Sequence, residues 1–139
     1  MIKQFGIALL SILAFSQCRK DNDSSNIPYI SVNVNIDVDN PAYRDIKSPG
    51  NYVYINGGSE GIILYRLNQE EFRAYDRHSP IEPQDNCICD VTEDQLFIED
   101  PCSGASWLIT DGTPQNNAAK FFLREYQTSF NGRTVRVFN

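Results

Sequence analysis

Four cysteines and a single histidine are the strongest chemical groups in this 139-residue chain. Cys87 and Cys89 stand two apart in "NCICDV". Cys102 follows in "IEDPCSGASWLITDGTP", a stretch with the outline of a holding loop: a Pro-Cys, a turn of small residues, then Trp107. Thiols become reactive where a helix N-terminus or a nearby cation lowers their pKa. A Cys-x-Cys pair on a strand has no helix N-terminus, and its two side chains point to one face. His78 lies in "YDRHSP", two residues after Asp76. One histidine among scattered serines makes no Ser–His–Asp case, and no glycine-rich phosphate loop of the required form is present. "DVDN" at Asp37 to Asn40 lacks the glycine and distal glutamate of an EF-hand.

The fourth cysteine has a different setting. Lys3 precedes an apolar run from Phe5 to Phe15, the pattern of a secretory signal and too short to span a bilayer as a permanent helix. The run closes on Cys18 and the polar string "RKDNDSSN", which resembles a bacterial lipoprotein signal whose cysteine becomes the diacylated first residue of the mature chain. Gln17 departs from the Gly or Ala usual before that cysteine. The expectation is a signal peptide over 1–17, lipidation at Cys18, a flexible tether over 18–28 and a folded domain over 29–139. Arg19 to Asn26 contain no apolar residue to bury, so that segment is expected to stay extended. Two or three acyl chains suffice for stable anchoring, which makes the membrane one partner. Arg19 after the cysteine, with acidic residues close behind, resembles the outer-membrane sorting and surface-export pattern of Bacteroidetes-type lipoproteins. The expected address is therefore the outer membrane of the cell envelope, on its periplasmic or surface face. Disulfides persist there, and the three remaining cysteines allow at most one bridge within the chain.

The elements that must position these groups are strands. "YISVNVNIDVD" places Ile30, Val32, Val34, Ile36 and Val38 on one face and polar residues on the other, the alternation of a half-buried strand. Shorter strand-like segments follow at Tyr52 to Ile55, Gly61 to Leu67, Glu71 to Asp76, Cys87 to Val91, Gln95 to Asp100, Ser106 to Thr110, Lys120 to Tyr126 and Arg133 to Phe138. "SPG", "NGG", "DG" and "NG" mark the turns, and Asn131-Gly132 is a strong hairpin signal. No stretch of ten or more residues carries a helical period. The spacing predicts one all-β domain, a sandwich or small barrel. About 120 residues after the signal are enough for a core without metal or further staples.

From Gly61 onward the order of features resembles the Rieske iron–sulfur domain. A hairpin, "GIILYRL" to "EFRAYD", leads to the loop "RHSPIEP"; a second hairpin leads to "PCSGASW"; a "DGTPQNNAA" connection enters a final hairpin. In that family a Cys-x-His on the first loop and a Cys-x-x-His on the second hold a 2Fe–2S cluster. Pro101, Cys102 and Gly104 match the second box, with Asp100 in the cysteine position and Ser103 in the histidine position. In the first box Asp76 takes the cysteine position and His78 the histidine position. The cluster-ligand-equivalent positions are thus Asp76, His78, Asp100 and Ser103, of which His78 alone keeps the family's residue type.

The resemblance implies a Rieske-like antiparallel β domain, a sheet sandwich or barrel with two ligand-type loops at one tip. It also implies that Cys102 is the family's disulfide cysteine. The usual partner position holds Ile81, and Cys87 or Cys89 is the candidate partner. Such a bridge would pin the two loops and contribute roughly 2–4 kcal/mol. Because three thiolate or imidazole ligands are missing, no cofactor is expected, and the implied role is a non-enzymatic binding or structural module. The alternative is an electron-transfer protein with remodelled ligands. It would hold either a 2Fe–2S cluster or one divalent metal on Asp76, His78 and Asp100, a set able to ligate Fe(II), Mn(II) or Zn(II). Turns also favour aspartate for capping their own backbone.

The net charge of −6 disfavours a surface that tracks phosphates, so nucleic acid is not expected as a partner. Between Arg77 and Lys120 there is no Lys or Arg, whereas Glu82, Asp85, Asp90, Glu93, Asp94, Glu99, Asp100 and Asp111 fall in that interval. This is the pattern of a solvated acidic tip. The same surface would attract a basic face of an envelope protein whose identity the sequence does not give.

Overall fold

The computed structural model describes residues 27–139; the expected signal peptide, Cys18 and the expected tether over 18–28, apart from Ile27 and Pro28, lie outside the described residues. Among the described residues nine strands follow one another: β1 (Asn33–Asp37), β2 (Tyr52–Ile55), β3 (Ile62–Arg66), β4 (Phe72–Asp76), β5 (Asp90–Val91), β6 (Phe97–Glu99), β7 (Ser106–Leu108), β8 (Glu125–Phe130) and β9 (Thr134–Phe138). Six of them form a curled antiparallel sheet in the order β1-β9-β8-β4-β3-β2, and β5-β6-β7 form a small second sheet. The architecture is all-β, a half-barrel with a smaller sheet attached, as expected of a Rieske-like domain.

β3 explains how the two sheets share one body. All five of its residues are buried, and they divide by alternation. Ile62 and Leu64 enter a core with Ile36, Ile46, Ala74, Val135 and Val137. Ile63 and Tyr65 enter a second core with Tyr75, Cys89, Ile98, Trp107, Ile109 and Leu123. A strand covered on both faces reads as a continuous apolar run, which is why "IILY" lacks alternation. β1 is covered on one face only, and its sequence alternates.

The strand expected at Cys87 to Val91 is reduced to Asp90–Val91, which leaves Cys87 and Cys89 on the loop before it, and two further elements differ more widely from the sequence expectation. The strand expected at Lys120 to Tyr126 begins at Glu125 and runs to Phe130. The indole Nε1 of buried Trp107 donates to the Phe121 carbonyl at 2.9 Å, and Lys120 N closes a tight turn on the Ala118 carbonyl at 2.9 Å. The backbone at Lys120 and Phe121 is thereby committed outside the sheet. The polar segment Gln127 to Ser129 takes its place, paired with β9 in the register that the Asn131-Gly132 turn imposes. The second of these two is a 3₁₀ helix over Pro41–Lys47. Seven residues are too few to show a period, but Pro41 and the Asn40 side chain, which accepts from Ala42 N, are sound start signals. Its Ile46 is fully buried.

The two loops of interest leave β4 and β6. The first turns back on itself: Ser79 N donates to the Cys87 carbonyl at 2.9 Å, Cys89 N donates to the Arg77 carbonyl at 2.7 Å, and His78 bridges Ile88. The second closes through Gly104 N to the Asp100 carbonyl and Asp100 N to the Ala105 carbonyl, both at 2.9 Å, with Gly104 at φ +74°. A left-handed turn of that kind suits glycine.

Candidate functional site

Asp76 ends β4 and is completely buried. Its Oδ1 accepts from His78 N at 2.8 Å and Glu60 N at 3.4 Å; its Oδ2 accepts from Ser59 N at 2.8 Å and the Tyr126 hydroxyl at 2.6 Å. Four donors occupy the lone pairs of this carboxylate. Burial, followed by the hydrogen bond and charge of Asp76, pushes the Tyr126 hydroxyl pKa well up, so Tyr126 stays a donor. Two of the donors come from the β2–β3 turn, "NGGSEG", which lies against the carboxylate. A Cβ on Gly58 would stand 2.5 Å from Asp76 Oδ2 and 2.6 Å from the Tyr126 hydroxyl.

His78 is buried and fully engaged. Its Nε2 lies 2.8 Å from the Pro83 carbonyl, which can only accept, so Nε2 carries a proton. Its Nδ1 pairs with the Ser59 hydroxyl at 2.8 Å. Neither ring nitrogen is turned toward a ligand.

Asp100 is buried at the end of β6 and organises the second loop. Its Oδ2 accepts from the hydroxyls of Ser79 at 2.7 Å and Ser103 at 2.6 Å, and its Oδ1 accepts from Cys102 N at 2.8 Å. Burial by itself would raise the Asp100 pKa. The hydroxyls of Ser103 and Ser79 and the amides of Cys102 and Ser103 outweigh it and hold the carboxyl below its ordinary value. Ser103 therefore serves Asp100.

The disulfide joins Cys87 to Cys102, with their Cα atoms 6.3 Å apart, and Cys89 is the buried free thiol. Burial pushes the Cys89 pKa up to about 12. A thiol so far from ionisation is a packing residue. Among the described residues, Cys87, Asp100 and Cys102 form a group with one ligand atom each, all within 4.8 Å of one another. Asp76, His78 and Asp100 do not form such a group, so the three-residue metal set is divided between two hydrogen-bonded networks.

A 2Fe–2S cluster does not fit these donors. It calls for two thiolates and two imidazoles, whereas the four equivalent positions supply two carboxylates, one imidazole and one hydroxyl, each already hydrogen-bonded within the protein. Among the described residues, Cys87 and Cys102 are joined to each other and Cys89 is buried in the smaller core.

Sequence reasoning assigns no role to Ser59, Gly58, Tyr126 or Ser79, although all four belong to these networks. One signal is available: "NGGSEG" has two adjacent glycines where a tight hairpin turn needs one, which marks a close backbone approach. Beside this turn an open depression of about 410 Å³ is lined by Tyr54, Asn56, Ser59, Glu60 and Arg77 among others. Arg77 is occupied there, lying 3.9 Å over the Tyr54 ring and pairing with Asp90.

No protein-family model matches the chain, and no curated protein matches it. Solved structures do. The cyanobacterial plasma membrane Rieske protein PetC3 from Synechocystis PCC 6803 superposes with a TM-score of 0.58 at 20% identity, over 76% of this chain and 99% of that one. The structure of the carbazole 1,9a-dioxygenase complex of reduced oxygenase and oxidised ferredoxin contains a chain matching at TM-score 0.52 and 19% identity, over 77% of this chain and 93% of that one. The chain has a Rieske-like fold.

Proposed function

We propose that this chain is a membrane-anchored module of the cell envelope that uses the Rieske-like fold without an iron–sulfur cluster. It acts through binding or structure and not through catalysis. The observation that carries this reading is the substitution of the ligand set by self-satisfied polar networks. Asp76 is closed by four donors and His78 by Ser59 and Pro83, while Asp100 accepts from Ser79, Ser103 and Cys102. A buried carboxylate closed as Asp76 is, by four donors, is stable as it stands, and opening it to bind iron would leave those donors unpaired. The anchor in this reading is lipid on Cys18, with the polar segment after it holding the domain away from the bilayer.

The test is iron and acid-labile sulfide content, with a visible absorption spectrum, on the full chain prepared aerobically and anaerobically. The expected result is neither iron nor sulfide in either preparation. Stoichiometric iron and sulfide with visible absorption would overturn the reading in favour of electron transfer. The anchor is tested separately by metabolic labelling with a fatty-acid analogue, which Cys18→Ala is expected to abolish.

A further inference from the structure

We infer that reduction of the Cys87–Cys102 disulfide opens a binding site for one thiophilic divalent cation of the Zn(II) kind, held by the two thiolates and the Asp100 carboxylate. The inference rests on the cluster-free reading, because Asp100 stands at one of the cluster-ligand-equivalent positions; it uses neither Asp76 nor His78.

The geometry is present in the bridged form. The ligand atoms of Cys87, Asp100 and Cys102 all lie within 4.8 Å of one another. Zinc–sulfur bonds of about 2.3 Å place two sulfurs of a tetrahedral site roughly 3.8 Å apart. The Cα separation of 6.3 Å leaves room for the sulfurs to part that far without moving the backbone.

The backbone is also held by contacts other than the disulfide. Ser79 N fixes the Cys87 carbonyl, and the Gly104 and Ala105 turn fixes the loop that carries Cys102. The hydroxyls of Ser79 and Ser103 both occupy Asp100 Oδ2 and orient the carboxylate. Oδ1 accepts from Cys102 N at 2.8 Å, and a cation at this oxygen would share it with that N–H. Metal-binding side chains are commonly oriented by such outer hydrogen bonds. Cys87 and Asp100 are buried while Cys102 is exposed, so the site has two inner ligands and an open side for entry and for a water as fourth ligand. Two soft thiolates select Zn(II) over Mg(II) or Ca(II).

The redox step balances with a dithiol as reductant. The dithiol passes two electrons and two protons to the bridge, the S–S bond breaks into two thiols, and the reductant closes to its own disulfide. Binding of the cation then displaces both thiol protons to solvent. In the bridged form no thiolate exists and the site is off.

The test is titration of the full chain with Co(II), bridged and after reduction by a phosphine that is removed anaerobically. The reduced chain is expected to bind one Co(II), with thiolate charge-transfer absorption of the intensity of two Co–S bonds and displacement by Zn(II). The bridged chain is expected to show no such band. Cys89→Ser is expected to leave the titration unchanged. Asp100→Asn, which keeps an acceptor for Ser79 and Ser103, is expected to weaken binding at least tenfold. Equal spectra from bridged and reduced chains, or loss of the band in Cys89→Ser, would overturn the inference. So would full affinity in Asp100→Asn. The comparison of bridged and reduced unmutated chain decides the matter even where a variant folds poorly. A cobalt or zinc site without sulfide is also distinct from the iron and sulfide that would overturn the cluster-free reading.

Discussion

Asp76 and Asp100 are the same residue type serving two different loops, and each works by collecting donors. Gly58 is what allows the first collection to close. Its φ of +62° and the 2.5 Å that would separate an added Cβ from Asp76 Oδ2 both oppose a side chain. Gly58→Ala is expected to destabilise the protein by about 2–3 kcal/mol in denaturant titration. Gly50→Ala, at φ +83° with nothing within 4 Å, carries the backbone strain alone and is expected to lose about 1 kcal/mol. Equal losses would mean that packing on Asp76 is not what demands the glycine.

Asp100 makes a prediction about pH. Its folded pKa is depressed, so its contribution is complete above the unfolded carboxyl pKa, roughly 4. It is lost as pH falls through the folded value. Stability of Asp100→Asn is therefore expected to fall less steeply than that of the unmutated chain in this acid range. Parallel curves from urea titrations at successive pH values would contradict the assignment.

Among the elements, the disulfide ties the loop after β4 to the loop after β6 across a sequence separation of 15 residues. Closing a loop of that length is worth about 3 kcal/mol through the unfolded state. Cys87→Ala with Cys102→Ala is expected to lower unfolding free energy by that amount, and a loss under about 1 kcal/mol would show that the loops are held mainly by Asp100 and its hydroxyl donors. The order of hairpins and loops is legible in the sequence, because alternation and turn residues are local. The choice between Cys87 and Cys89 is not. Alternation puts both on one face, but it says nothing of depth: Cys89 sits in the smaller core, and Cys87 lies nearer the loop tip where Cys102 arrives. The true start of β8 is hidden for a related reason, since a long-range bond from Trp107 withdraws the apolar residues before it from the sheet.

For the molecule as a whole, β3 belongs to both cores, with Ile62 and Leu64 in one and Ile63 and Tyr65 in the other. Losing either core would expose a face of the same strand, so the domain is expected to unfold as one unit. Fluorescence of Trp107, which is fully buried in the smaller core, reports one side. Far-UV circular dichroism is dominated by the six-stranded sheet. Their denaturant transitions are expected to coincide, and separated midpoints would mean that the small sheet and its loops open independently.

The all-β class and the hairpin order are written in residue types and short spacings, whereas the ligand-equivalent positions and the bridging role of Cys102 are implied by the resemblance to the Rieske domain. Such information survives without coordinates. What Asp76 and Asp100 do is set by the folded arrangement. That Asp76 is capped by a turn near residue 59 and by Tyr126, and Asp100 by Ser79, depends on contacts separated by 16 to 50 positions in the chain. A carboxylate's role as ligand, base or buried acceptor is set by which donors reach its lone pairs, and those donors arrive only when the sheets have closed around it.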